Sequence, residues 1–386
     1  MLRAICRTTA LFAVIIASVS ANTPAIAGGI SQEDLDPLAL LHDDHAFVAE
    51  LSGFVRQPTN GRTGARNGYG WNGASTSGAD PSGKSGSLAV KGRAGGNGDC
   101  MLKLHQPWAR WERRDPKWAA ANEFAESRLE SLSLDAACSW RFDMGGSAQL
   151  RVIGGLRAGG LEVFHQIGFP AHLSFHFKSR EVGLGWRAGF SWEDPVDGLR
   201  ISALYTAPMG FAVSGKQWLQ GQPTGADLQA DIEMPQTIAL RVERDLAPGW
   251  HGAIDAQWTE WSAFDGLRVS GVSTGQGTVD ASFPTGFTDA VTLKAELEHA
   301  VTENWRVAGS LRWDQGVSGG IADLWTIGAR VGRSFGPNVD LELTTALGWR
   351  MEGSASGFDA VRGASWSYRS EAGPVYGAAV RLKLSF

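Results

Sequence analysis

Residues 249–262 read GWHGAIDAQWTEWS. Trp250, Ile254, Ala256 and Trp258 share one parity, and His251, Asp255, Gln257 and Thr259 take the other. Successive side chains of an extended chain point to opposite faces, so the alternation predicts a strand with one apolar and one polar side. Trp250 and Trp258 are eight positions apart. At about 3.3 Å per residue and a tilt near 40° this is roughly 20 Å of height, the separation of the two aromatic belts around a membrane barrel. Such a strand turns its apolar side to lipid and its polar side to a lumen.

The pattern recurs. In 304–314, Trp305 and Trp313 bracket Val307, Gly309 and Leu311, with Arg306, Ser310, Arg312 and Asp314 opposite. In 338–350, Leu341, Leu343, Leu347 and Trp349 take the apolar side, and Asp340, Glu342, Thr344 and Arg350 the polar one. The chain closes on Tyr376, Ala378, Val380, Leu382, Leu384 and Phe386, alternating with Arg381, Lys383 and Ser385. A final amphipathic strand ending in Phe resembles the assembly signal of outer-membrane barrels. Period two predicts strands over 46–57, 84–94, 100–111, 129–142, 147–159, 181–194, 197–211, 230–245, 249–262, 290–300, 304–314, 323–335, 338–350 and 374–386. Fourteen is even, as a bacterial single-chain barrel requires. A soluble β-sandwich also alternates, but the strand lengths, the tryptophan spacing and the leader described next favour an all-β transmembrane antiparallel barrel.

The connections alternate in length. Short ones at 95–99, 143–146, 195–196, 246–248, 301–303 and 336–337 are separated by long ones at 58–83, 112–128, 160–180, 212–229, 263–289 and 351–373, with a shorter one at 315–322. Outer-membrane barrels have short periplasmic turns and long outer loops, so both termini are expected in the periplasm of a Gram-negative cell. At the N-terminus, Arg3 and Arg7, an apolar stretch over 11–17 and Ala25-Ile26-Ala27 form a secretory leader over 1–27. The expected organisation is then a short plug-like luminal segment over 28–45 and a barrel over 46–386. Ser18, Ser20, Asn22 and Pro24 break the leader's apolar run, which falls short of the roughly 20 apolar residues of a membrane helix. Nothing later supplies such a run.

Composition agrees. The chain has 50 Gly and 16 Trp in 386 residues. A barrel accounts for both, because Gly relieves crowding where strands bend and Trp lines the lipid–water boundaries. The formal charge of -5, without a basic cluster, argues against nucleic acid as a partner. Cys6 leaves with the leader, and Cys100 and Cys138 remain. The strand alignment sets Cys100 nearer Phe142 than Cys138, so a disulfide and two buried or lipid-facing thiols are both open readings.

Residues 235–269, PQTIALRVERDLAPGWHGAIDAQWTEWSAFDGLRV, carry a Pro235-Gln236 that opens one strand and a Trp258, Trp261-Ser262 that closes the next. Residues 186–206 (WRAGFSWEDPVDGLRISALYT) give paired strands around a Pro turn, 105–119 (HQPWARWERRDPKWA) a third strand, and 39–58 (ALLHDDHAFVAELSGFVRQP) a first. In this order the stretches resemble the FadL-type outer-membrane transporters of long-chain fatty acids and aromatic hydrocarbons. The resemblance covers most of 39–386 and implies passive uptake of hydrophobic small molecules, captured at outer loops and released sideways through the wall. It implies no cofactor and no enzymatic activity. Expected partners are the hydrophobic cargo, outer-membrane lipids and the barrel assembly machinery, with the barrel acting as a monomer. One departure stands out: the family's luminal hatch is about forty residues long and ends near an Asn-Pro-Ala, whereas only 28–45 is available here and no Asn-Pro-Ala occurs. A non-transporting surface barrel or adhesin is the rival reading.

The resemblance points to candidate residues. Leu161, Phe164, Ile167, Phe169, Leu173, Phe175 and Phe177 make 160–180 unusually apolar for an outer loop. With Phe211, Trp218 and Leu219 of the following loop they correspond to the family's outer capture groove, although the same aromatics could pack the loops together as a lid. Lys178, Arg180 and the lumen-facing Arg157, Arg312 and Arg350 could hold a carboxylate in a guanidinium fork or ammonium contact, or serve as wall ion pairs. Gln106 and Pro107 lie within the third strand, where the family's wall is kinked inward. Proline cannot donate to a ladder, so it marks a bulge or break. His165, His172 and His176 have near-metal spacings but no matching acidic partner, so no metal site is expected.

Overall fold

The computed structural model describes residues 35–58, 61–68, 74–77, 83–115, 117–120, 125–167, 173–264, 266–273, 277–318, 321–359 and 364–386. The expected leader lies outside these residues, as does the expected luminal segment up to residue 34. The strands are, in chain order, β1 (Phe47–Pro58), β2 (Arg62–Asn67), β3 (Gly83–Ala94), β4 (Gly98–His105), β5 (Ala109–Arg113), β6 (Glu126–Asp143), β7 (Gln149–Ile167), β8 (Leu173–Ser179), β9 (Gly183–Asp194), β10 (Leu199–Thr206), β11 (Met209–Leu219), β12 (Gln222–Met234), β13 (Thr237–Ala247), β14 (Trp250–Thr259), β15 (Gly266–Ser273), β16 (Thr278–Pro284), β17 (Ala290–Thr302), β18 (Trp305–Asp314), β19 (Leu324–Ser334), β20 (Val339–Arg350), β21 (Gly353–Asp359), β22 (Ala364–Ser370) and β23 (Gly373–Ser385).

Fourteen of them close a ring. The order is β1, β3, β4, β6, β7, β9, β10, β13, β14, β17, β18, β19, β20 and β23, antiparallel throughout, and β23 pairs back onto β1 from Val48↔Ser385 to Pro58↔Val375. The seam is tied at its foot by Phe47 N–H to the Phe386 carbonyl (3.0 Å) and Phe386 N–H to the Phe47 carbonyl (2.8 Å). Closure leaves no strand of the ring with a free edge along its whole length, which is how a strand protein survives in lipid. Each of the fourteen expected segments overlaps one ring strand.

Facing follows parity. Leu134, Leu156, Leu184, Ile254, Ile327, Leu343 and Leu347 are exposed on the outside, while Lys91, Asp99, Lys103, His105, Asp135, Arg151, Arg187, Asp255 and Glu342 are buried on the inside. Trp313, Trp325 and Trp349 stand side by side in register on β18, β19 and β20, forming one arc of the outer aromatic belt. Trp250 and Trp305, at the starts of β14 and β18, lie at the opposite end of their strands.

The third strand is interrupted at Gln106-Pro107: β4 ends at His105 and β5 resumes at Ala109. The structure departs from the sequence reading in two places. Four of the stretches expected as long loops, 160–180, 212–229, 263–289 and 351–373, are largely strands. β6 and β7 extend far above the ring, and β7, β8, β11, β12, β15 and β16 join edge to edge into an outer sheet, while β2, β22 and β21 form a small sheet of their own. The high apolar content of 160–180 is thus the inner half of an alternating sheet. Finally, Cys100 and Cys138 lie directly opposite in the β4–β6 register and form a disulfide. The expected alignment with Phe142 was four residues out, because β6 starts higher than the pattern over 129–142 suggests.

Candidate functional site

Above the ring, the outer sheet turns one face inward. Leu161 and Ile167 of β7, Phe175 and Phe177 of β8, Met209, Phe211 and Val213 of β11, and Leu228 and Ile232 of β12 are all buried there. Trp108, Trp261, Val317 and Ile321 join them from other connections around the mouth. The cluster therefore bridges the outer opening. Its side chains pack on one another, with Phe177, Val213 and Leu228 fully buried, and Trp108 meets Phe211 edge to face at 6.0 Å between centroids.

Of the apolar residues singled out by sequence, Leu161, Ile167, Phe175, Phe177 and Phe211 belong to this cluster and Leu173 packs against it. Phe164 does not. It has the opposite parity in β7 and sits edge to face with His176 at 6.2 Å. Trp218 has the opposite parity to the buried positions of β11, and Leu219, at the hairpin, is exposed. Phe169 and His172 lie outside the described residues. His176 contacts Glu162 at 2.7 Å, and among the described residues no group of His, Cys, Asp and Glu is placed to hold a metal.

Below the cluster the lumen is charged. Asp135 has Arg157 Nε at 3.3 Å, Arg187 Nη1 at 2.8 Å and His105 Nε2 at 3.1 Å; Arg157 donates a hydrogen bond, Arg187 makes a charge contact and His105 a polar contact, both without hydrogen-bond alignment. Arg241 faces Asp255 across the β13–β14 ladder at 2.7 Å. Arg330 reaches Glu296 at 2.8 Å and Glu298 at 2.7 Å. A cavity of about 260 Å³ lies among Asp36, Lys103, Arg241, Glu296, Arg330 and Glu342.

The described part of the luminal segment lies at the periplasmic end of this lumen. Leu38, Leu40 and Leu41 are buried against Val48, Ala89, Met101, Ala137 and Ile153. Polar contacts fix the segment: Arg151 Nη1 donates to the Leu41 carbonyl (2.7 Å), Lys91 Nζ to the carbonyls of Asp43 (2.6 Å) and His45 (2.7 Å), and Lys383 Nζ to Asp43 (3.0 Å). His42 lies 2.9 Å from Glu193.

The wall itself has a break. The β3–β4 ladder stops at Ser87↔His105, although β3 continues to Gly83 in register with β1. Gln106 and Pro107 carry no ladder pair, and β5 pairs only with β6, from Ala109↔Glu130. Were the β3–β4 register to continue, Pro107 would face Ser85. Instead Ser85 Oγ donates to the Gln106 carbonyl at 3.3 Å. On the other side, the Ser131 hydroxyl accepts from Trp108 N–H at 2.9 Å and donates to its carbonyl at 2.7 Å, which satisfies the backbone the break leaves open. Trp108 is thus at once the first residue past the break and a member of the apolar cluster. Sequence reasoning passed over it, though a tryptophan directly after a mid-strand proline was the available signal.

The basic candidates divide. Arg157 is held by Asp135 and its guanidinium lies 5.5 Å from the Trp108 ring centroid. Arg312 grips Asp314 through Nε (3.0 and 2.9 Å) and Nη2 (2.7 Å). Lys178 and Arg180 are exposed. Arg350 is buried. Above the membrane, Glu112 of β5 collects Arg62 at 2.6 Å, Arg110 at 2.5 Å and Arg114. Burial alone would raise the Glu112 carboxyl, but the three guanidiniums outweigh it and hold the group well below the ordinary carboxylate range.

The comparisons bear on this arrangement. Residues 102–318 match the family model described as outer membrane protein transport protein (OMPP1/FadL/TodX). A Pseudomonas aeruginosa FadL homologue has the same fold with a TM-score of 0.76 at 16% identity, covering 95% of this chain and 98% of its own. The Ralstonia pickettii toluene transporter TbuX gives 0.61 at 14% over 96% and 99%, and the P. putida toluene transporter TodX 0.62 at 13% over 95% and 99%. No curated protein matches in sequence.

Proposed function

Because this chain belongs to the FadL/TodX family of outer-membrane transport proteins, we propose that it is a passive outer-membrane transporter for long-chain fatty acids or other hydrophobic small molecules. Cargo enters the apolar cluster beneath the outer sheet and leaves sideways through the wall at Gln106-Pro107. The supporting observation is Trp108, which makes the cluster and the wall break contiguous.

Free energy selects the sideways route. Moving an alkyl chain from the cluster into the charged lumen exposes it again at about 0.8 kcal/mol per methylene, so a ten-carbon chain faces roughly 8 kcal/mol. Leaving between β3 and β5 takes the chain into bilayer hydrocarbon and avoids that cost. Outside the break the wall presents Leu88 and Leu104, both exposed and apolar. No energy source is required, because the cargo runs from a dilute aqueous phase to lipid. As a closed ring without an edge strand, the barrel functions as a monomer.

The test is growth on oleate and cell uptake of labelled oleate and toluene, comparing deletion, wild type and Trp108→Asp, together with mass spectrometry of lipid co-purified with the barrel. Uptake should fall in the deletion and in Trp108→Asp while the variant keeps a folded, heat-modifiable gel band. Unchanged uptake in the deletion and no hydrophobic molecule in the purified protein would instead favour the adhesin or structural reading.

A further inference from the structure

Most inward arginines of this barrel have a carboxylate within ion-pair distance, as Arg241 has Asp255, Arg187 has Asp135 and Arg330 has Glu296. Arg56 and Arg350 do not. Arg56, in β1, lies opposite Gly83 of β3 and Gly377 of β23, and Arg350, in β20, lies opposite Leu324 of β19 and Gly373 of β23. Three of the four facing positions are thus glycines, which leave room where an acidic partner would stand.

Both guanidiniums are buried, Arg56 at 2% and Arg350 at 6% exposure. Nε and Nη1 of Arg56 and Nε of Arg350 have no hydrogen-bond partner among the described residues. Arg56 lies within electrostatic reach of Arg350, Arg110 and Arg312, and Arg350 within reach of Arg110 and Arg62. The carboxylates that reach them are committed elsewhere. Asp314 is gripped by Arg312 and accepts from Thr292 at 2.8 Å, and Glu112 serves three other arginines. A buried cation without a partner is costly, and a fork of N–H donors matches an oxyanion.

We propose that Arg56 and Arg350 form a binding site for an oxyanion, a carboxylate or a phosphate, at the outer end of the lumen. Its position is next to the wall break: Arg56 pairs with Gly83, two residues before the Ser85 that contacts Gln106. An oxyanion carried on a hydrophobic chain would be held there with its tail at the opening. In that form the site rests on the transport reading above; a free oxyanion would bind without it.

The experiment is calorimetry on the purified full-length barrel in neutral detergent, with decanoate, decanol and inorganic phosphate as probes. Wild type should bind decanoate about tenfold or more tightly than decanol, the scale of hydrogen bonds to a charged group. Phosphate that displaces decanoate would show that the site accepts a free oxyanion; phosphate that does not would show that the oxyanion must arrive on a chain. Arg56→Gln with Arg350→Gln should bring decanoate to the level of decanol and leave the heat resistance of the folded band equal or higher, since it removes uncompensated buried charge. Equal binding of decanoate and decanol by wild type with no phosphate binding overturns the proposal, as does a carboxylate preference that persists in a folded double variant. Because the wild-type comparison needs no variant, a double variant that fails to assemble does not decide the matter. Equal uptake of both chains by cells would remove this site and leave the transport reading intact, whereas loss of both would remove that reading.

Discussion

Two phenylalanines thirteen residues apart carry opposite expectations. Phe177 is fully buried in the cluster under the outer sheet, and truncating a buried Phe to Ala costs about 3–5 kcal/mol. Phe164 sits on the other face beside His176, where substitutions usually change stability by no more than about 0.5 kcal/mol. Phe177→Ala should make the outer sheet protease-sensitive and weaken cargo binding while the barrel band survives, and Phe164→Ala should do neither; limited proteolysis followed by gel analysis reads both. Glu112 gives a pH prediction. Its carboxyl is held low in the folded protein, first against burial and then by Arg62, Arg110 and Arg114. The stability it contributes is therefore fully present above the unfolded carboxylate value of about 4.3 and is lost as pH falls below that value and through the folded one. Protease resistance of the outer region should hold from neutral pH to about pH 5 and decline only below about pH 4. Glu112→Gln should abolish that acid step and lower resistance at pH 7, because the guanidiniums of Arg62, Arg110 and Arg114 lose a shared, buried carboxylate, a loss of roughly 3 kcal/mol.

At the scale of elements, the interrupted third strand is the part on which the proposed release depends. Pro107→Val supplies a donor and a strand-favouring side chain at the position that would face Ser85. The variant should transfer cargo to the membrane more slowly at unchanged or raised heat resistance, measured by uptake into barrel-containing vesicles; normal transfer from a stably folded Pro107→Val would place release elsewhere. The break itself was legible, since a proline inside an alternating run has few other meanings. So were the fourteen wall strands, because lipid on one side and a polar lumen on the other enforce period two. The outer sheet was not. Over 160–180 both faces contact protein or water above the membrane, so Phe164 and Phe175 look equally apolar in sequence although only one is in the cluster. The β4–β6 register was also hidden, because a shift of two residues either way, to Ala136 or Trp140, satisfies the same alternation until the upper end of β6 is fixed.

For the whole molecule, we propose that the described luminal segment acts as a stopper; it is held chiefly by charge and backbone contacts. Arg151, Lys91, Lys383 and Glu193 grip residues 41–45, while Leu38, Leu40 and Leu41 give it a small apolar footing. Deleting residues 35–45 should raise the ion conductance of the barrel in a planar bilayer several-fold and leave uptake of hydrophobic cargo nearly unchanged, because the sideways route does not pass the stopper; an unchanged conductance would mean that the ion pairs of the lumen are the tighter constriction. The Cys100–Cys138 bond bears on how such a wall is built. Both sulfurs lie on the lipid side, at positions that meet only when β4 and β6 are correctly aligned. A slip of one residue would turn one cysteine toward the lumen while the other stayed outside, and the bond could not close. Its oxidation is therefore a chemical proofreading mark left on the finished product, so that the fraction of free thiol in newly made protein counts the molecules whose wall was zipped out of step.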